Sequence, residues 1–127
     1  IVPECRTLAA LGYELMATEG TWRALKSIGI PCERVNKVHE GRPHVVDLIK
    51  NREVVLVLNT PYGKQQRIDD SAIRAAAVMA GVSCITTRAG ISAVVSALTA
   101  IHRGDYQVRT IQEHLATHKK ARVPARA

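Results

Sequence analysis

Val54-Val55-Leu56-Val57-Leu58 is a run of five apolar residues without a polar break. A strand with one wet face would alternate, so this run predicts a strand covered on both faces, as in the interior of a parallel sheet flanked by helices. It gives way to Asn59-Thr60-Pro61-Tyr62-Gly63-Lys64, a polar turn. Ligands of open parallel sheets bind beyond the carboxyl ends of the strands, which makes Asn59 and Thr60 candidate contacts.

The same rhythm extends in both directions. Toward the amino terminus, Pro3 to Leu11 has the spacing of a helix and stops at Gly12. Tyr13 to Ala17 then reads as a strand, Thr18-Glu19-Gly20-Thr21 as a turn, and Trp22 to Ile28 as an amphipathic helix closed by Gly29. Cys32 to Val35 is a second short strand, Asn36 to Pro43 a polar loop, and Val45 to Asn51 a short helix with Val46 and Ile49 inward. Toward the carboxyl terminus, Asp69-Asp70-Ser71 opens an alanine-rich helix to Ala80, with its carboxylates read as cap and dipole partners. Val82 to Thr86 is the fourth strand, and Thr87 to Gly90 leads into a helix over Ile91 to Ile101. Four repeats of strand, polar turn and helix predict a three-layer α/β/α sandwich with a mainly parallel sheet.

Composition narrows the function. The chain has 127 residues, enough for one core, with 46% hydrophobic and 3% aromatic residues and no Phe. The net charge is +7, but Lys119, Lys120, Arg122 and Arg126 lie in the tail, and removing those four leaves +3. With few aromatics and no basic helix face, the body is read as a small-anion binder with no nucleic-acid role. Cys5, Cys32 and Cys84 are odd in number and widely spaced, which fits reduced thiols and a cytoplasmic setting, and no apolar run approaches membrane-spanning length. The start at Ile1 rather than Met reads as a fragment, or as a processed or trimmed chain. The organisation expected is a domain over 1–103, a helical extension over 104–117 with a helix from Thr110 to Ala116, and a basic, disordered tail over 118–127. His114 and His118 have i, i+4 spacing, but without a third ligand they are read as solvent-facing, with no metal site.

The chemistry collects at the strand ends. Gly20 lets backbone approach a ligand closely, Thr18 and Thr21 offer hydroxyls, and the helix start beside them offers unpaired N–H groups to an anion. Thr21 could equally serve as the N-cap of that helix. Lys37 supplies a point charge, and Asn59 can donate and accept toward a sugar or base. Thr18, Gly20, Thr21, Lys37, Asn59 and Thr60 thus form a candidate anion pocket. No activated nucleophile with a placed base and no ATP-binding glycine loop is legible, which favours binding over turnover.

Ala17-Thr-Glu-Gly-Thr21, Val35-Asn-Lys-Val-His-Glu-Gly-Arg-Pro43 and Asn59-Thr60 after the Val/Leu strand resemble the methylglyoxal-synthase-like domain at the carboxyl end of carbamoyl phosphate synthase large subunits. The similarity runs over about Pro3 to Ile101. It implies an allosteric, non-catalytic domain of a cytoplasmic ligase of pyrimidine and arginine biosynthesis, without a cofactor of its own. The parent would use ATP with Mg or Mn, upstream synthase domains of the same subunit and a glutaminase small subunit. The effector implied is a nucleoside monophosphate of the UMP or IMP type, with ornithine acting at the domain boundary. Thr18, Thr21 and Lys37 match phosphate contacts in that family, Asn59 a nucleotide contact, and Thr86 a residue near the ornithine site.

Departures from the family pattern bear on the ligand. Pro61 stands where a further threonine is usual, and Cys84 replaces a tyrosine beside the ornithine boundary. The family also has a strand before its first helix, central in a five-stranded sheet, which this sequence starts too late to contain. An alternative is a methylglyoxal-synthase-type lyase acting on dihydroxyacetone phosphate. Such an enzyme needs a carboxylate where this chain has Arg42, and a cation cannot be the base. Glu40 is a substitute only in type, since a solvated loop acid is its plainer reading. The purine cyclohydrolase that shares the fold has a longer basic signature loop not found here.

Overall fold

The computed structural model describes residues 1–60 and 66–121, with side chains described for all of these except 66–68 and 117–121. The order is α1 (Val2–Ala10), β1 (Met16–Ala17), α2 (Glu19–Ser27), β2 (Glu33–Arg34), α3 (Val45–Lys50), β3 (Leu56–Leu58), α4 (Gln66–Ala80), β4 (Ser83–Ile85), α5 (Arg88–Arg103) and α6 (Ile111–Ala121). The alternation is the one expected, and both strand pairs are parallel. Met16 and Ala17 of β1 face Glu33 and Arg34 of β2, while Leu56, Val57 and Leu58 of β3 face Ser83, Cys84 and Ile85 of β4.

Side-chain alternation along β3 and β4 places a helical layer on each face. Val57 and Cys84 pack against buried Val46, Ile49, Ala76 and Ala77 of α3 and α4. Leu58 and Ile85, one residue further, pack against buried Leu8, Ile91 and Val95 of α1 and α5. Successive strand residues point to opposite faces, so helices cover both. Val46 and Ile49, expected inward on α3, are 7% and 0% exposed. A third cluster joins Cys5 of α1, Leu25 of α2 and Ile30, with Leu15 and Cys32 against it.

The sheet is divided, which corrects the reading of Val54–Leu58 as a fully interior strand. Among the described residues β1 pairs only with β2 and β3 only with β4. β3 itself spans three residues, and Val55 is 75% exposed. Both faces of the strand are covered, but one hydrogen-bonding edge is not. Leu15, beside β1, and Leu58, in β3, contact the same buried cluster around Leu8, so side chains span the break that backbone hydrogen bonds do not.

Local chemistry sets the helix ends. Pro3 in the first turn of α1 sits where an N–H would lack an intrahelical partner anyway. His44, 7% exposed, caps α3: its Nδ1 accepts from the Asp47 amide at 3.4 Å while Asp47 Oδ2 accepts from the His44 amide at 3.0 Å. These reciprocal bonds form a capping box with histidine in the usual Ser/Thr place. Thr87 caps α5 by accepting from the Gly90 amide at 3.1 Å. Gly90 lies so close to β4 that an added Cβ would stand 2.9 Å from Ile85 Cγ2.

Several boundaries differ from expectation. The helix expected from Trp22 begins at Glu19, so Thr18 is the N-cap and Thr21 lies inside the first turn. The helix expected to open at Asp69 already includes Gln66, which puts Asp69 and Asp70 further inside it. The helix expected to end at Ala116 continues to Ala121, and Thr110 and Glu113 exchange bonds at its start, Glu113 N to Thr110 Oγ1 at 3.2 Å and Thr110 N to Glu113 Oε2 at 2.8 Å. Of the tail expected to be disordered, residues 122–127 lie outside the described residues, as does Pro61. Among the described residues no helix is long and apolar enough to cross a membrane.

Candidate functional site

The expected ligand residues follow the carboxyl ends of their strands. Thr18 comes directly after β1 and is the N-cap of α2, in extended conformation, and its side chain makes no cap hydrogen bond. The first-turn amides of α2, at Glu19, Gly20 and Thr21, precede the first intrahelical bond, which runs from Trp22 N to Thr18 O at 2.9 Å. Amides and hydroxyls are therefore open to an anion at the positive end of the helix. Glu19, which would oppose an anion there, is paired with Arg23 one turn on and with Arg34 of β2.

Lys37 lies in the loop after β2. Its backbone closes a small turn, with Lys37 N donating to Glu40 Oε2 at 2.9 Å and Glu40 N to Lys37 O at 3.1 Å. Glu40 is thus an exposed loop acid, as expected, that also closes the turn. The Lys37 ammonium has no ion pair among the described residues. Further along, Arg42 pairs with Asp47 at 3.6 Å, the Arg42-Pro43 peptide is cis, and a parallel bridge joins Asn36 to His44.

Asn59 and Thr60 follow β3, and Asn59 N donates to Ile85 O at 2.9 Å, continuing the β3–β4 ladder. The Asn59 side chain donates from Nδ2 to Asp70 Oδ1, and Asp70 Oδ2 accepts from Arg74. Asp70 is 5% exposed. The neighbouring Asp69 pairs with His39 of the Lys37 loop at 3.1 Å. The first turns of α4 therefore hold the segment after β3 and the loop after β2 at the same end of the domain. Asp69 keeps the dipole role read from sequence, whereas Asp70 does not: it is a buried partner of Asn59 and Arg74. The Asp-x-x-x-Arg spacing on a helix was the available signal for half of this network, and no local pattern signals the Asn59 half.

Thr86 follows β4, half-buried, immediately before the Thr87 cap. Cys84 lies in β4, its thiol pushed up by burial and next by the Asp70 carboxylate. Burial likewise raises the Cys5 and Cys32 thiols, and none of the three is in a disulfide. Two surface depressions, about 350 and 380 Å³, lie beside Trp22 and between Met16 and Leu48, and neither is lined by an expected ligand residue. Among the described residues no group of His, Cys, Asp and Glu is arranged to hold a metal, and the His118 side chain lies outside them.

A family model described as MGS-like domain matches residues 1–86, every segment that carries the strand-end residues. The chain belongs to the MGS-like domain family. Its relatives include the carbamoyl phosphate synthase large chain of Mesorhizobium japonicum, 42% identical over 116 residues, and that of Rhodopirellula baltica, 46% identical over 111 residues. These alignments cover 91% and 87% of this MGS-like chain and 10% of each relative. The Pseudomonas aeruginosa large chain is 52% identical over 91 residues, 72% of this chain and 8% of the relative. The MGS-like chain therefore spans about a tenth of the length of these relatives.

Proposed function

We propose that this MGS-like domain is the regulatory module of a glutamine-dependent carbamoyl phosphate synthase large subunit, binding a nucleoside monophosphate of the UMP or IMP type at its strand ends. The observation that carries the reading is the uncapped first turn of α2, with the Thr18 hydroxyl unused in capping and Glu19 offset by two arginines. Phosphate meets the amides around Gly20, the Thr18 and Thr21 hydroxyls and the Lys37 ammonium, while Asn59 and Thr60 meet the nucleoside. Ornithine acts near Thr86 at the boundary with the upstream synthase domains. The domain catalyses nothing itself. ATP with Mg or Mn, the ligase chemistry and the glutaminase small subunit belong to the rest of a cytoplasmic parent enzyme, on which the effector acts by binding its conformational states unequally. A lyase reading finds less support, because Arg42, paired with Asp47, occupies the position that would need a carboxylate.

Thermal-shift titration of the chain against UMP, IMP, uridine, ornithine and dihydroxyacetone phosphate tests the proposal. A ligand at 100 times its dissociation constant stabilises by about 2.7 kcal/mol, a shift of several degrees for a domain of this size. The expected result is stabilisation by the monophosphates. Stabilisation by dihydroxyacetone phosphate alone, with its consumption, would establish the lyase instead.

A further inference from the structure

Asp70 is buried at 5% exposure with both carboxylate oxygens engaged, Oδ1 by Asn59 Nδ2 and Oδ2 by the Arg74 guanidinium one turn along α4. Paired with that guanidinium, the carboxylate is an acceptor only. An asparagine amide beside it must turn its NH2 group inward, and the opposite orientation would set carbonyl against carboxylate. Asn59 Oδ1 and the second Nδ2 hydrogen are then left over, and no donor among the described residues reaches Oδ1. An amide carbonyl oxygen only accepts, so it suits a hydroxyl or N–H donor and not a phosphate oxygen.

We infer that Asp70 is a positioning residue that fixes the Asn59 amide so that its carbonyl reads a donor group of the nucleoside, a ribose hydroxyl or a base N–H. The inference rests on the nucleotide reading above and divides the site in two. Phosphate belongs to the α2 start and Lys37, while sugar or base belongs to Asn59. Asp70 acts through Asn59 and touches no ligand itself.

The test is a ¹H–¹⁵N NMR titration of the wild-type chain and Asp70→Asn with inorganic phosphate, uridine and UMP. Phosphate should move the Gly20 and Thr21 backbone amides and leave the Asn59 side-chain amide in place, whereas UMP should move all three. Asp70→Asn, which lets the amide reverse, should weaken UMP roughly three- to tenfold while phosphate affinity stays within about twofold. Equal weakening of phosphate and UMP would reduce Asp70 to a fold-stabilising role and overturn the inference. So would movement of the Asn59 side-chain amide by phosphate alone. Silence of Gly20 and Thr21 toward every probe would instead overturn the nucleotide reading, and this inference with it, by a different signal.

Discussion

Glu4 shows how one hydrogen bond ties distant parts of the chain. Its carboxylate accepts from the Ser92 hydroxyl at 2.7 Å, across 88 positions of sequence, joining α1 to α5. That bond, followed by a backbone hydrogen bond, holds the Glu4 carboxyl below the ordinary carboxylate range. A carboxyl held low in the folded state contributes stability that is present above its unfolded pKa and lost as pH falls through its folded pKa. Ser92→Ala should therefore raise the Glu4 pKa toward the ordinary value, read by side-chain ¹³C NMR titration, and the share of stability lost as acid protonates Glu4 should shrink. An unchanged Glu4 titration would show that the hydroxyl is not the cause. Neither partner was legible as part of a pair. Ser92 is exposed and Glu4 half-buried, each on its own helix, and only the packing of α1 on α5 brings them together.

Elements were read more successfully than their ends. Apolar periodicity located the helices and strands of the described residues, because burying an apolar face dominates where a segment can sit. Boundaries shifted where a local bond competes with the apparent signal. Thr18 rather than Thr21 starts α2, since Glu19, Gly20 and Thr21 are all compatible with a first turn and the chain turns helical as soon as β1 ends. The turn into α5 is tighter than sequence suggests. Gly90 there is required by proximity, with Ile85 Cγ2 and Thr87 Oγ1 each 2.9 Å from where a Cβ would be. Gly90→Ala should destabilise the fold by about 1–3 kcal/mol through this crowding, despite the higher helix propensity of alanine. Urea unfolding gives the number directly, and a stabilised variant would mean that β4 and α5 separate freely.

Across the whole molecule the division of the sheet is the feature that sequence pattern alone left open. A continuous apolar strand announces that its faces are covered, but says nothing of its edges, so Val54–Leu58 overstated how enclosed β3 is. With β1–β2 and β3–β4 paired separately, side chains join the two: those of α3 against α4, and those around Leu8, which is 4% exposed and shares its cluster with Ile91, Val95, Leu15 and Leu58. Leu8→Ala should cost about 2–5 kcal/mol. It should also separate unfolding followed by Trp22 fluorescence, which reports the β1–β2 half, from unfolding followed by circular dichroism. Coincident transitions at the wild-type midpoint would show that α1 is not the bridge. The candidate site spans the same division: the Thr18 and Lys37 segments belong to the first pair, Asn59 and Thr60 to the second. An effector held by both halves is well placed to bias how they sit, with couplings between sites in proteins typically about 1–3 kcal/mol.

Calorimetric titration of UMP and uridine into the wild-type chain and Lys37→Ala tests the central claim most directly. Removing the cation should weaken UMP by about tenfold or more, as expected for a charge-assisted contact worth roughly 1.5–3 kcal/mol, and leave uridine unchanged. Equal weakening of both, or of neither, would contradict the assignment of Lys37 and the α2 start as the phosphate site.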